Sequence, residues 1–408
     1  MKPIKLIILC TLYFAFCTFT IFAQKPVKIT IDNPLKKTVV DKVFVLPADK
    51  LPADFNVESY AVEVDKVLYP IEKSIDLQGN MSYFTIFDLH PKIKNISIVT
   101  GQASNIVKRT HAELSHKTGG HWARNPKTRH LEYCGGDWVD VKYLRVPDEH
   151  IDHSWYIRYE GPGWESDKVG YRSYLDWRNG YDIFGKTKPE ICLPKVGLDG
   201  FDSYHEMQDW GMDCFKVGDA LGVGSFAYWT GKKVIRIEYF DSLTCEIIAD
   251  GNLRSQVRTD YFGWNYQATE NEAKINAVSL LSINAGSRLT HQEVKLSKAI
   301  KHLCTGLIRD KKATFFSKID PNSTWSYIAT FGDQSLNNDN LGIAVIVKTT
   351  DIKEVTEDKL NHVVVFNSEG KDYLDYYFLG AWEKEANGIQ TCEAFEKYLD
   401  EVIERLNN

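Results

Sequence analysis

Val57-Glu58-Ser59-Tyr60-Ala61-Val62-Glu63-Val64 alternates polar with apolar side chains, the two-residue period of a strand that buries one face. Ile96-Ser97-Ile98-Val99 has the same character, and short runs between them are separated by Asn, Asp, Pro and Gly. The pattern continues in Trp155-Tyr156-Ile157-Arg158-Tyr159, Val234-Ile235-Arg236-Ile237-Glu238-Tyr239, Leu341-Gly342-Ile343-Ala344-Val345-Ile346-Val347 and Val363-Val364-Val365-Phe366. No helical pattern alternates with these strands, which argues against a parallel βαβ sheet. One strong helical spacing stands at the end, where Phe395, Leu399, Val402 and Leu406 recur with charges between them. The expectation is an all-β chain: a large antiparallel β-sandwich with a short C-terminal helix and a concave face furnished by loops. A soft junction near residue 105 divides a β-strand region, 24–105, from a main sandwich domain, 106–408, that carries the site.

The 408 residues are 43% hydrophobic and 25% charged, which excludes a disordered, collagenous or polytopic membrane protein. Lys2 and Lys5 precede the apolar run Leu6 to Ala23, the charged and hydrophobic regions of a signal peptide spanning 1–23. Export to the periplasm follows, with Gln24 as the mature start and no membrane insertion after cleavage. Cys17 follows Phe16 rather than a small residue, so lipidation is not expected. Without the leader, 47 basic face 55 acidic side chains, a net charge of −8 that disfavours nucleic acid as a partner. The six remaining cysteines form no CxxC and no close pair, so buried free thiols are the expected state and zinc-finger, haem and thioredoxin-type readings fail.

Against that acidic background, the segment from Ile106 to Leu131 carries Lys108, Arg109, Lys117, Arg124, Lys127 and Arg129 with one acid, Glu113, a local charge of +5. His111, His116, His121 and His130 lie in it, at intervals that match no common zinc spacing, so no metal is expected. An anionic ligand is drawn to such an island, although exposed charge runs usually serve solvation alone. If Tyr171 to Arg178 is a strand, Arg172, Tyr174, Asp176 and Arg178 share a face. The preceding Gly161-Pro162-Gly163-Trp164 reads as a loop able to carry Trp164 over that face. Seven tryptophans, Trp122, Trp138, Trp155, Trp164, Trp177, Trp210 and Trp229, crowd this part of the chain, and indoles suit the C–H faces of sugars as well as a core.

A third cluster, Gly197 to Asp213, gathers ionisable groups between glycines; His205, Asp209 and Asp213 would share one face of a helical turn. A histidine beside carboxylates is either a general base with an orienting partner or a hydrogen-bonded structural residue. His291 stands on one face of a possible strand with Ser287, Leu289 and Glu293, opposite Arg288, Thr290 and Gln292.

The runs Arg158 to Asp167, Tyr171 to Lys186 and Gly197 to Gly218, with their unusual strings Trp-Glu-Ser-Asp and Met-Gln-Asp-Trp-Gly-Met-Asp, resemble the domain of unknown function family 4861. The resemblance spans most of the mature chain. It implies an exported protein of polysaccharide-degrading bacteria, similar to the oligosaccharide dehydratases that act on a non-reducing-end uronate in ulvan breakdown. By analogy it implies a galactose-mutarotase-like supersandwich.

Eliminating water across C4–C5 of a uronate needs a positive clamp on the carboxylate, a base near C5 and an acid at the C4 hydroxyl. The sequence offers Arg172 or Arg178 as clamp, His205 as base or acid oriented by Asp209, His121 as its counterpart and Trp164 as a stacking wall. Tyr174, Arg124 and His291 are further candidates for substrate contact. The expected partner is an anionic oligosaccharide, and no cofactor is expected. A polysaccharide lyase would use the same groups. A glycoside hydrolase would draw on Glu165, Glu206, Asp209 and Asp213, and a non-catalytic sugar-binding protein is the third reading.

Overall fold

The computed structural model describes residues 25–104, 106–200, 203–269 and 274–407. The expected leader, residues 1–23, lies outside them. The chain is built almost wholly of antiparallel strands. Its largest element is a nine-stranded sheet that runs from Tyr143–Arg145 through Ser242–Asp250, Arg254–Trp264, Ile275–Asn284 and Thr290–Leu296 to Tyr373–Trp382, Leu341–Lys348, Trp325–Gly332 and Ala313–Lys318.

Two five-stranded sheets cover its inner face. One orders Gly211–Asp213, Tyr181–Lys186, Gly170–Ser173, Gly163–Ser166 and Thr110–Glu113, and the other is centred on Leu303–Ile308. The alternation seen in sequence puts Val257, Leu281, Val294, Val345, Tyr376 and Phe378 inward, where they meet Trp164, Tyr171, Tyr181 and Phe226 of the covering sheets. The sandwich predicted from the two-residue period is the structure observed.

The outer face of the nine-stranded sheet receives α1, Cys392–Leu406. Thr391 caps it, its hydroxyl accepting from the Ala394 N–H at 3.2 Å. Phe395, Leu399 and Val402 bury their stripe against Tyr327, Ala329, Phe331 and Ile346. Residues 25–104 form a four-stranded and a three-stranded sheet around a separate core that includes Ile29, Val62, Phe87, Ile96 and Ile98. This unit meets the outer face through Glu72, whose carboxylate accepts from the N–H groups of Asn252, Leu253 and Arg254.

Among the described residues all six cysteines are free, four of them buried. No helix of the described residues is long and apolar enough to cross a membrane.

Candidate functional site

A cleft of about 700 Å³ opens beside the five-stranded sheet that carries Gly163–Ser166, lined by Lys117, Trp138, Trp155, Tyr159, Glu160 and Tyr204 among others. Local backbone geometry shapes one side. His153, Trp155, Tyr159 and Glu160 all have positive φ (55°, 61°, 38° and 70°), a concentration of left-handed non-glycine residues that only surrounding structure can hold. Hydrogen bonds supply the hold: Glu160 Oε1 accepts from the His153 N–H at 2.7 Å and from Arg178 Nη2 at 2.7 Å. The opposite wall is Trp138, whose indole N–H donates to the Leu198 carbonyl at 3.1 Å while Lys117 Nζ lies 5.0 Å above its ring. Among the described residues Lys117 forms no ion pair, so its charge faces the cleft.

Beneath the floor lies a buried charge network. Arg172 is 2% exposed and spends its donors on protein groups: Nη2 on Asp182 at 2.9 Å, on Asp213 at 2.5 Å and on the Tyr174 hydroxyl at 3.1 Å, Nη1 on the Tyr159 carbonyl and Tyr204 hydroxyl, both at 3.2 Å. Arg178 binds Asp176 and Glu160, with its guanidinium 3.9 Å above the Tyr174 ring. Arg158 pairs with Glu113, which also accepts the Tyr159 hydroxyl proton. His111 bridges Glu113 at 3.1 Å to Asp250 at 2.9 Å.

Burial and the neighbouring Asp182 carboxylate push Asp213 well above the usual carboxyl range, against the opposing pull of Arg172. Burial alone would raise Glu160 too, but Arg178 and Arg172 outweigh it and hold that carboxyl low and ionised.

His205 adjoins the cleft at the end of a single helical turn, Ser203–His205. Its Nε2 lies 3.3 Å from Asp213 Oδ2, and its ring lies 4.5 Å from that of Tyr204. The partner is therefore Asp213 rather than Asp209. The segment is not a continuous helix, and Asp209 points to solvent with only Lys188 near, at 3.9 Å. Asp213 reaches His205 because the chain reverses at Gly211, whose φ of +134° and close approach to the Gly185 carbonyl leave no room for a Cβ.

The other expected site residues fall in different places. Trp164 is not a wall of the cleft: Gly163–Ser166 is a strand, and the indole is fully buried against Tyr171, its N–H donating to Thr290 Oγ1 at 2.9 Å. The strand carrying Arg172 ends at Ser173, so Tyr174, Asp176 and Arg178 do not continue its face but fold under the cleft. Arg172, Arg178 and Tyr174 thus pair with carboxylates beneath the floor, and none of the three lines the cleft. His121 and Arg124 lie on an exposed hairpin beyond Lys117. His291 is remote from the cleft, on the outer face of the nine-stranded sheet, stacked on Tyr377 and 3.3 Å from Asp375. Of the hydrolase carboxyls, Glu165 is closed in the interior by Lys186, Glu206 and Asp209 are exposed, and none of the four lines the cleft.

Sequence reasoning missed Tyr159, Glu160 and Tyr204. The signal for the first two was the Arg158-Tyr159-Glu160-Gly161 run, an ionisable triplet followed by glycine that reads as strand by alternation, and Tyr204 sat beside His205 in the polar cluster.

The model of the family described as Domain of unknown function (DUF4861) matches residues 31–408. The chain belongs to that family. Uncharacterized protein P7 of Formosa agariphila is 26% identical over 268 residues, 60% of this chain and 64% of P7, so the chain spans under two thirds of that relative's length. A solved protein in the glycosyl hydrolase family 38 from Enterococcus faecalis covers 94% of this chain and 45% of its own, at 9% identity and a TM-score of 0.37. An alpha-mannosidase from Enterococcus faecalis V583 covers 94% and 44%, at 8% identity and a TM-score of 0.38. Likeness at that level says nothing of activity.

Proposed function

We propose that the protein is a carbohydrate-active enzyme that eliminates water at a terminal uronate of an oligosaccharide. The observation that carries the reading is geometric: Glu160, held low by Arg178 and Arg172, lines the cleft, and His205 beside it lies 3.3 Å from the buried Asp213, whose carboxyl is pushed up. Groups pushed apart in this way divide the roles of base and acid. The substrate ring stacks on Trp138 or Trp155, and Lys117 pairs with the uronate carboxylate, which makes the C5 proton more acidic. Glu160 takes that proton at Oε2, which lies 3.7 Å from Arg172 Nη1. The electron pair of the C5–H bond becomes the C4=C5 bond. The C4 hydroxyl receives a proton from His205 and leaves as water, while Asp213 returns its own proton to Nε2 of the ring.

Incubation with uronate-terminated oligosaccharides tests this by mass and ultraviolet absorbance. Loss of one water without cleavage, with a new conjugated chromophore, is the expected result. Folded His205→Ala should lose about a hundred- to ten-thousand-fold in turnover, and Lys117→Ala should weaken both binding and turnover. Cleavage with an unsaturated end would make the enzyme a lyase of the chain; cleavage that adds water would make it a hydrolase. Unchanged mass would leave a sugar-binding protein.

A further inference from the structure

The two hairpins beside the cleft are one arm. Ser115–Thr118 pairs with Asp137–Asp140 in the register Ser115↔Asp140 to Thr118↔Asp137, and His121–Arg124 pairs with Leu131–Cys134 in the register His121↔Cys134 to Arg124↔Leu131. The register is the same in both, so Gly119, Gly120, Gly135 and Gly136 stand opposite one another as an interruption in a single antiparallel ribbon. That interruption is a bend that side chains could not make. Gly119, Gly135 and Gly136 have φ of +78°, +71° and +81°, and a Cβ on Gly120 would sit 2.4 Å from the Cys134 carbonyl oxygen.

The proximal half belongs to the cleft through Lys117 and Trp138. The distal half is fastened beside it: the Tyr133 N–H donates to the Ser154 carbonyl at 2.7 Å, and the Trp122 ring lies 5.2 Å from that of Tyr156, two positions before the cleft residue Glu160's own helical turn begins. At the tip, Arg124, Lys127 and Arg129 are exposed and form no ion pair among the described residues. The one carboxylate in the distal ribbon, Glu132, is turned to the Asn125 amide at 3.0 Å. Elsewhere the positive island of the sequence is spent on carboxylates of the protein: Lys108 pairs with Asp250, and Arg109 with Asp41 and Asp167. In an acidic chain, three uncompensated cations at the end of a ribbon whose base walls the cleft are placed for a ligand that runs out of it.

We propose that this bent arm is a second subsite, which binds a further carboxylate or sulfate group of an anionic oligosaccharide whose end occupies the cleft. The proposal rests on the cleft being a sugar site. The test compares wild type, the tip variant Arg124→Gln/Lys127→Gln/Arg129→Asn and the cleft variant Trp155→Ala, with folding checked by circular dichroism. Asn is chosen at position 129 because its φ of 64° suits that residue. Calorimetry with uronate oligosaccharides of two to six units, with sulfated ones and with neutral ones of equal length reads the outcome. Wild type should bind longer anionic chains more tightly than the shortest. The tip variant should lose about tenfold on the longer chains with a flatter salt dependence, and keep its affinity for the shortest; the cleft variant should weaken at every length. A preference for uronate or for sulfate identifies the group held. A tip variant equal to wild type at all lengths overturns the arm subsite and leaves the cleft reading intact. Absence of binding by wild type at any length overturns both.

Discussion

Arg172 shows how burial changes the meaning of a side chain. Read along the sequence it is a free cation beside tryptophans; in the fold it is the hub of Asp182, Asp213, Tyr174 and Tyr204. A guanidinium suits this post because its donors fork in a plane, so one group can meet several acceptors at once. Replacing it leaves buried carboxylates without a counter-charge, which costs about 3–5 kcal/mol. Arg172→Ala should therefore lower the midpoint of denaturant unfolding strongly. A folded, fully stable Arg172→Ala with raised KM would instead restore it as a direct clamp. Trp164 has the same lesson in apolar form. An indole next to two glycines reads as a loop residue able to cover a groove, yet those glycines let a strand pass close to its neighbours and the ring becomes core.

Strands decide which of these residues can meet. Thr110–Glu113 carries His111 and Glu113 on one side of its pleat, so His111 can reach both Glu113 and Asp250 of the neighbouring Ser242–Asp250 strand. Burial would lower the imidazole, but the two carboxylates outweigh it and hold it at about 9 against an ordinary 6.5. Asp250, which burial would raise, is pulled to about 2 from 3.8 by His111 and Lys108. A raised imidazole stabilises the fold fully below pH 6.5, and that contribution fades as pH rises through about 9. The lowered carboxylate stabilises above pH 3.8, and its contribution fades as pH falls through about 2. His111→Gln should thus cost roughly 2 kcal/mol near pH 6, with the gap from wild type closing above pH 9. Unfolding curves at a series of pH values check this; a gap constant with pH would show that packing, not charge, is what His111 supplies.

Across the whole molecule, the N-terminal unit is tied to the sandwich by several polar contacts, among them Glu72, the Lys37–Glu404 pair and a bidentate arginine. Arg109 donates Nη1 and Nη2 to both oxygens of Asp41, at 2.6 and 2.9 Å, and Nε to Asp167 at 2.8 Å. Asp167 in turn accepts from the Gly286 N–H at 2.7 Å. Bidentate geometry makes this pair stronger than an ordinary surface contact. Arg109→Ala should lower stability by about 1–3 kcal/mol, and a double-mutant cycle with Asp41→Ala should show a coupling of about 1 kcal/mol or more. Additive losses would mean that this arginine pair does not couple the two units, leaving Glu72, the Lys37–Glu404 pair and the apolar contacts to hold them.

Composition and period were enough to establish an antiparallel all-β chain with one terminal helix, because alternation at two and recurrence at three and four are local properties of the backbone. The Phe395, Leu399 and Val402 stripe and the strand of Leu341 to Val347 are legible for that reason. His205 and Asp213 were visible as members of one polar cluster. Their pairing was not, since it depends on a chain reversal at Gly211 rather than on helical spacing. The choice of Tyr159, Glu160 and Tyr204 as cleft floor, and of Arg172 and Trp164 as interior, belongs to tertiary structure alone. Whether a charge is exposed or spent on a partner, and whether an indole faces solvent or core, depends on which strands and loops pack over it, and those neighbours are distant in sequence.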